Sequence, residues 1–105
     1  MNNKIYTILY SLNVKHHHQG VFHIAKAIKI VSNNPESLDA IVKEIYVVIA
    51  AEIGISWKSV GNNIRYILKK IWENPESREY YIRLSGSSNY PTVADFLTCL
   101  IKNLK

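Results

Sequence analysis

The chain has 105 residues, a single cysteine and a formal net charge of +5. That length suits one hydrophobic core, one cysteine excludes an internal disulfide, and no uninterrupted apolar run approaches the length of a membrane span. Positive charge gathers in residues 1–31, which hold Lys4, Lys15, Lys26 and Lys29 and no acid, and in residues 53–72, which hold Lys58, Arg65, Lys69 and Lys70 and no acid. A polyanion such as DNA suits this distribution, and so does an acidic protein partner. The amino terminus is too interrupted by Asn2, Asn3, Ser11 and Asn13 to be a signal peptide, so the chain is expected in the cytoplasm with no membrane partner.

In residues 3–13, Ile5, Ile8, Leu9 and Leu12 recur at helical spacing and predict a short first helix. A loop over 14–20 ends at Gly20. A second helix comes next, with Val21, Ile24, Ala25, Ile28 and Val31 on one face and Lys26 and Lys29 outside. Asn34-Pro35-Glu36-Ser37 reads as a helix start, with Asn as cap, Pro in the first turn and an acid against the helix dipole. The third helix then runs to about Ile53. Almost every position near its end is apolar, which predicts deep burial. Asn74-Pro75-Glu76-Ser77 repeats the starting tetrapeptide and opens a short helix over 76–84. A loop over 85–89 leads to Tyr90-Pro91-Thr92 and a last helix, with Thr92 and Asp95 spaced for a capping box. No segment alternates as a strand does. The expected fold is all-α, five to six helices without strands, a single domain over residues 1–105.

The centre is the stretch from Ile45 to Trp72. Ala50 allows close helix packing, Gly54 suits the positive φ of a turn, Ser56 can cap the next helix, and Val60 points back toward the preceding one. This is the spacing of a helix-turn-helix, here over about 38–73. In the second helix of the pair, 57–73, Val60, Ile64, Ile67, Leu68 and Ile71 form a buried stripe. Lys58, Asn62, Arg65 and Lys69 fall on another face, entirely basic or amide. A solvated face usually mixes signs, and this one does not.

The residue types on that face suit DNA readout. Asn62 can pair bidentately with adenine and Arg65 with guanine, while Lys58 and Lys69 suit phosphates. Ser56 and Ser59 sit at the helix start, where a phosphate is favoured, although capping is the plainer role for Ser56. Tyr66 can reach the DNA backbone or lie half-buried. Trp57 reads as a lid over the core, or else as a wedge on the sugar-phosphate wall, with the lid the plainer role. Cys99, beside apolar Leu100, reads as a packed thiol. Three consecutive histidines, His16 to His18, do not converge on one ion as i, i+4 ligands do, so no metal is expected. No cofactor is expected, and no phosphate loop, acid pair or nucleophile constellation marks an enzyme.

The order of these pieces resembles a known family over nearly the whole chain. NKIYTILYSLNV is similar to the first helix of the carboxy-terminal effector domain of the stage-zero sporulation response regulator, and HHHQGVFHIAKAI to its loop and second helix. NNPESLDAIVKEIY resembles its next helix. IAAEIGISWKSVGNNIRYILKKIW aligns without a gap to its helix-turn-helix, and YPTVADFLTCLIKNL resembles its closing helix. The resemblance implies a six-helix response-regulator effector domain whose fourth helix enters the major groove of duplex DNA. It also implies head-to-tail homodimers on DNA and contact with RNA polymerase. His17 matches a histidine of the family's loop, which adds a phosphate contact there. The family's regulators also carry a phosphorylated receiver domain, and none is expected in these residues. Where the family has Arg-Val-Glu-Arg, this chain has Ser59-Val60-Gly61-Asn62, so the Arg and Glu that help read bases are absent while Arg65 is kept. Gly61 in mid-helix either lets the backbone approach DNA or marks drift after the contact was lost. The alternative function is a helical interaction module that binds a polymerase subunit or sibling regulator, favoured by Ser59, by Gly61 and by apolar Val48 in place of an acid, if it is exposed.

Overall fold

The computed structural model describes residues 3–15 and 18–104, and among these there is no strand. The α-helices are α1 (Asn3–Ser11), α2 (Gln19–Asn33), α3 (Val47–Ile53), α4 (Trp57–Glu73), α5 (Pro75–Ser85) and α6 (Val93–Lys102). The expected all-α architecture with a central helix-turn-helix is therefore observed. Ile24, Ile45, Ile49, Ile64, Ile67, Phe96 and Leu97 are fully buried at its centre, so α2, α3, α4 and α6 share one core.

Local rules account for most of the ends. α1 stops two residues earlier than its apolar spacing suggests, because Asn13 takes a left-handed conformation (φ 63). Val14 N–H then reaches back to Leu9 O (2.9 Å) and Asn13 N–H to Tyr10 O (2.9 Å), the paired bonds of a Schellman end. The last helix carries the expected capping box: Asp95 N–H donates to Thr92 Oγ1 (3.0 Å) and Thr92 N–H to the Asp95 carboxylate (3.3 Å). The two Asn-Pro-Glu-Ser copies behave differently. Asn74 accepts from Glu76 N–H and Ser77 N–H, whereas Asn34 makes no side-chain cap and its own N–H closes α2 on Ile30 O. Ser77, in the second copy, is buried and takes a hydrogen bond from Asn13 Nδ2 (2.9 Å), which ties the loop after α1 to the start of α5.

The third predicted helix is helical throughout but not regular. Pro35–Ala40 is 3-10, Val42–Tyr46 is π-helical, and the α geometry of α3 begins only at Val47. A π turn holds an extra residue and so rotates the helix beyond it. This one ends on Ile45 and Tyr46, both buried. Deep burial of the whole apolar run is corrected: Ile49 and Ala50 face the core, while Val47 and Val48 are 42% and 44% exposed and Ile53 38%. Apolar content near the helix end exceeds what one packed face can cover.

The α2–α4 pair makes the most extensive helix contact in the fold. Gly20 lets it form. A Cβ there would collide with the backbone oxygen of Asn63 and lie 2.5 Å from Ile67 Cγ1. Three residues on, His23 is fully buried and neither ring nitrogen finds a hydrogen-bond partner among the described residues. Burial disfavours the imidazolium and holds the His23 pKa below its ordinary 6.5. The unfolded chain therefore takes up this proton first as pH falls. Stability tied to neutral His23 is complete above about pH 6.5 and is lost progressively toward its lower folded pKa. Urea unfolding at pH 7.5 and 5.5 should show a loss for the wild type that His23→Leu largely removes. Equal losses in the two proteins would refute the assignment.

Candidate nucleic-acid interface

The interface is built on the turn between α3 and α4. Gly54 closes α3 with φ 76 and ψ 36, its N–H donating to Ala50 O (2.8 Å), and Ile55 N–H reaches the same carbonyl (3.1 Å). A left-handed residue costs an L side chain about 1–2 kcal/mol, so the turn glycine has a conformational reason independent of packing. Ser56 then starts α4 in extended geometry, and its Oγ accepts from Ser59 N–H (3.1 Å) and shares a hydrogen bond with Ser59 Oγ (2.9 Å). Ser56 thus fills the capping role expected of it.

α4 divides as its periodicity predicts. Val60, Ile64, Ile67, Leu68 and Ile71 are buried. Lys58, Asn62, Arg65, Tyr66 and Lys69 are exposed, and Ser59 is half-buried at the amino-terminal edge of the same surface. Seven of the eight candidate contact residues are therefore gathered along one solvent-facing strip, while His17 lies outside the described residues. Trp57 is not a lid: it keeps 40% of its surface and carries the Lys58 ammonium 5.7 Å from its ring centre. Tyr66 is also exposed, with Lys70 over its ring at 5.7 Å and the His18 ring 5.9 Å away. Next to it a cleft of about 690 Å³ is lined by Lys15, His18, Tyr66, Lys70 and Glu73 among others, which brings the loop before α2 beside the carboxy-terminal half of α4.

Glu52, the acid of α3, is paired with a lysine of α2. Lys26 of α2 donates to the Glu52 carboxylate at 2.6 Å and holds its pKa below the ordinary carboxylate value. The pair is solvent-exposed and contributes little to stability. α4 itself carries no carboxylate before Glu73 at its end.

Two features of the site were not legible from spacing. The first is Gly61. It is buried, and a Cβ there would sit 2.8 Å from Tyr46 Cε2 and 3.2 Å from Arg65 Nη1. In the fold, Gly61 is the flat seat on which Tyr46, delivered by the π turn, packs against α4. Tyr46 is 3% exposed, and burial raises its phenol pKa while the Arg65 charge opposes the rise. In an open helix, Gly→Ala gains about 1 kcal/mol. Gly61→Ala is expected to lose that gain to the clash and to destabilise the fold, whereas in a Tyr46→Ala background the same change should stabilise by about 1 kcal/mol. Urea titration of the four proteins measures the coupling, and additivity of the two changes would reject the packing account. The second feature is a hydrogen bond from Arg65 Nη2 to Asn62 Oδ1 at 2.7 Å, which joins the two candidate base readers.

Elsewhere the chain gives little chemistry. Cys99 is buried, burial raises its thiol pKa, and Asn103 Nδ2 caps its carbonyl at 2.8 Å, so it is a packed thiol. Among the described residues no three His, Cys, Asp or Glu side chains are grouped to hold a metal ion, and no helix is long and apolar enough to cross a membrane.

An all-helical core that presents a glycine-turned helix pair, with a basic and amide face on the second helix, defines a helix-turn-helix domain of the transcription-regulator class. The family model described as Sporulation initiation factor Spo0A C terminal matches residues 5–104. The chain belongs to this family of DNA-binding sporulation regulator domains, which is not an enzyme family. No solved structure matches the chain.

Proposed function

We propose that residues 1–105 act as one sequence-specific duplex-DNA-binding unit, with α4 in the major groove and the helix-turn-helix over about 38–73. The observation that carries this reading is the exposed strip of Lys58, Asn62, Arg65 and Lys69 on a helix with no acid before Glu73. Lys58 and Lys69 hold phosphates and fix register, Asn62 and Arg65 meet base edges, and Ser56, Ser59, Tyr66 and His17 contact the flanking backbone. From family membership we further propose action in the cytoplasm, head-to-tail homodimers on DNA and contact with RNA polymerase.

A protein-interaction role is the second reading. It is favoured by the exposed apolar surface at Val47 and Val48 on α3. Fluorescence anisotropy separates the two. The protein is titrated into a labelled duplex carrying the sporulation regulator's consensus box and into its scramble, at several salt concentrations. Binding that weakens steeply with salt supports the DNA reading. Tighter binding to the box means that the family's readout survives without its Arg and Glu. No binding at low salt, with a stoichiometric protein partner on co-purification, supports the interaction module instead.

A further inference from the structure

A second exposed face lies between α2 and α3. On α2, Phe22, Lys26, Lys29 and Ile30 fall at i, i+4, i+7 and i+8 and so share one side of the helix. Phe22 and Lys29 are exposed, and Lys26 and Ile30 are half-buried. A groove of about 200 Å³ runs between Lys26, Lys29 and Ile30 on one wall and Val48 and Glu52 of α3 on the other. Val47 extends the apolar surface beside Val48, and both are exposed. Glu44, also exposed, stands four residues before Val48 as Glu52 stands four after, so the three share a side.

The two walls carry opposite charge. Lys26 and Lys29 make the α2 wall basic, and Glu44 and Glu52 make the α3 side acidic. The same division runs through the sequence: residues 1–31 hold no acid, and residues 32–52 hold four acids and one lysine. Lys26 bonds Glu52 across the groove at 2.6 Å, while Lys29 and Glu44 form no ion pair among the described residues. A uniformly acidic partner laid here would meet Glu44 and Glu52, and a uniformly basic one Lys26 and Lys29. Like charges set against each other at an interface are repelled, so both are disfavoured. A surface with both signs on separate walls is complementary to itself.

We propose that the α2–α3 face closes on a second copy of this chain in a two-fold dimer that forms without DNA. A two-fold axis along the groove sets each α2 over the α3 of the other copy. Lysines then face carboxylates twice, and Val47 and Val48 are covered by the partner's Phe22 and the partner's Ile30. The head-to-tail pairing proposed on DNA is heterologous and uses a different symmetry, so this inference goes beyond the DNA-binding reading and does not rest on it.

Sedimentation equilibrium of the whole chain without DNA, at concentrations up to about 1 mM, tests the proposal. The average mass should rise from monomer to dimer and stop there, because a two-fold interface is closed. Val48→Asp, which puts a carboxylate into the apolar part of the face, should weaken association roughly tenfold or more. Lys29→Glu should weaken it too, by setting carboxylate against carboxylate across the axis. Tyr10→Asp, at an exposed aromatic of α1, should leave it unchanged. All three positions are exposed, and unchanged thermal melts confirm the folds. Growth beyond the dimer, a dimer unmoved by Val48→Asp or Lys29→Glu, or one lost in Tyr10→Asp overturns the proposal. A chain that stays monomeric at every concentration also overturns it and leaves this face to a different protein. DNA binding stands in each case.

Discussion

Gly20→Ala is expected to destabilise this protein by about 3 kcal/mol and to lower its Tm by more than about 10 °C. The added methyl meets the backbone oxygen of Asn63 and Ile67 Cγ1 at 2.5 Å. A flexible side chain can turn away, but a backbone carbonyl inside α4 cannot without disturbing its helical bonds. Relief must come from separating α2 and α4, whose contact is the most extensive in the fold. Interiors are close-packed, so a shift there propagates to Ile24, Ile64 and Ile67, all fully buried. Ala itself suits a helix better than Gly, and that gain of about 1 kcal/mol opposes the clash without cancelling it. Thermal and urea unfolding of the single variant decide the matter. A Tm equal to the wild type would mean that the close approach of α2 to α4 is not real.

The second large effect concerns binding. Arg65→Ala together with Lys69→Ala is expected to weaken duplex binding by about tenfold or more and to flatten the dependence of log K on log salt by about one to two. The two side chains lie one helical turn apart on the exposed strip, so both can face the same duplex. Arg65 supplies a base contact and Lys69 a phosphate contact in the proposed mode. Removing them takes away one discriminating interaction and up to two released counterions. The hydrogen bond from Arg65 to Asn62 lies within α4 on its exposed face and ties no other helix, so the fold should be unaffected. Anisotropy at several salt concentrations, with a thermal melt as control, measures both quantities. An unchanged affinity would sink the assignment of α4 as the DNA-contacting helix.

Much of the site is legible in the sequence. Lys58, Asn62, Arg65 and Lys69 face solvent because a 3.6-residue period separates them from Val60, Ile64 and Ile67, which are buried. Gly54, Ser56 and Thr92 take their turn and cap roles because those roles depend on φ and on hydrogen bonds within about four residues. Asn34 and Asn74 each follow a preceding helix directly, but Asn34 sits at φ −147 and ψ 88 where Asn74 sits at φ −94 and ψ 113, and only the Asn74 side chain caps the next helix. The apolar end of α3 misled for a different reason. Hydrophobicity says that a residue can be buried, and only the position of neighbouring helices says whether there is something to bury it against.

The sequence by itself determined where the chain is helical, the caps at Ser56, Asn74 and Thr92, the buried and exposed faces of α4 and its positive charge before Glu73. These come from periodicity, backbone preference and the count of ionisable groups, each of which acts locally or adds up without reference to the fold. The tertiary structure alone decided that a π turn brings Tyr46 onto Gly61, that Gly20 admits α2 against α4, and that Lys26 pairs with Glu52. Each of these is a contact between segments at least fifteen residues apart in the numbering. Such contacts depend on how two helices are placed relative to each other to within an ångström, and no local rule carries that distance.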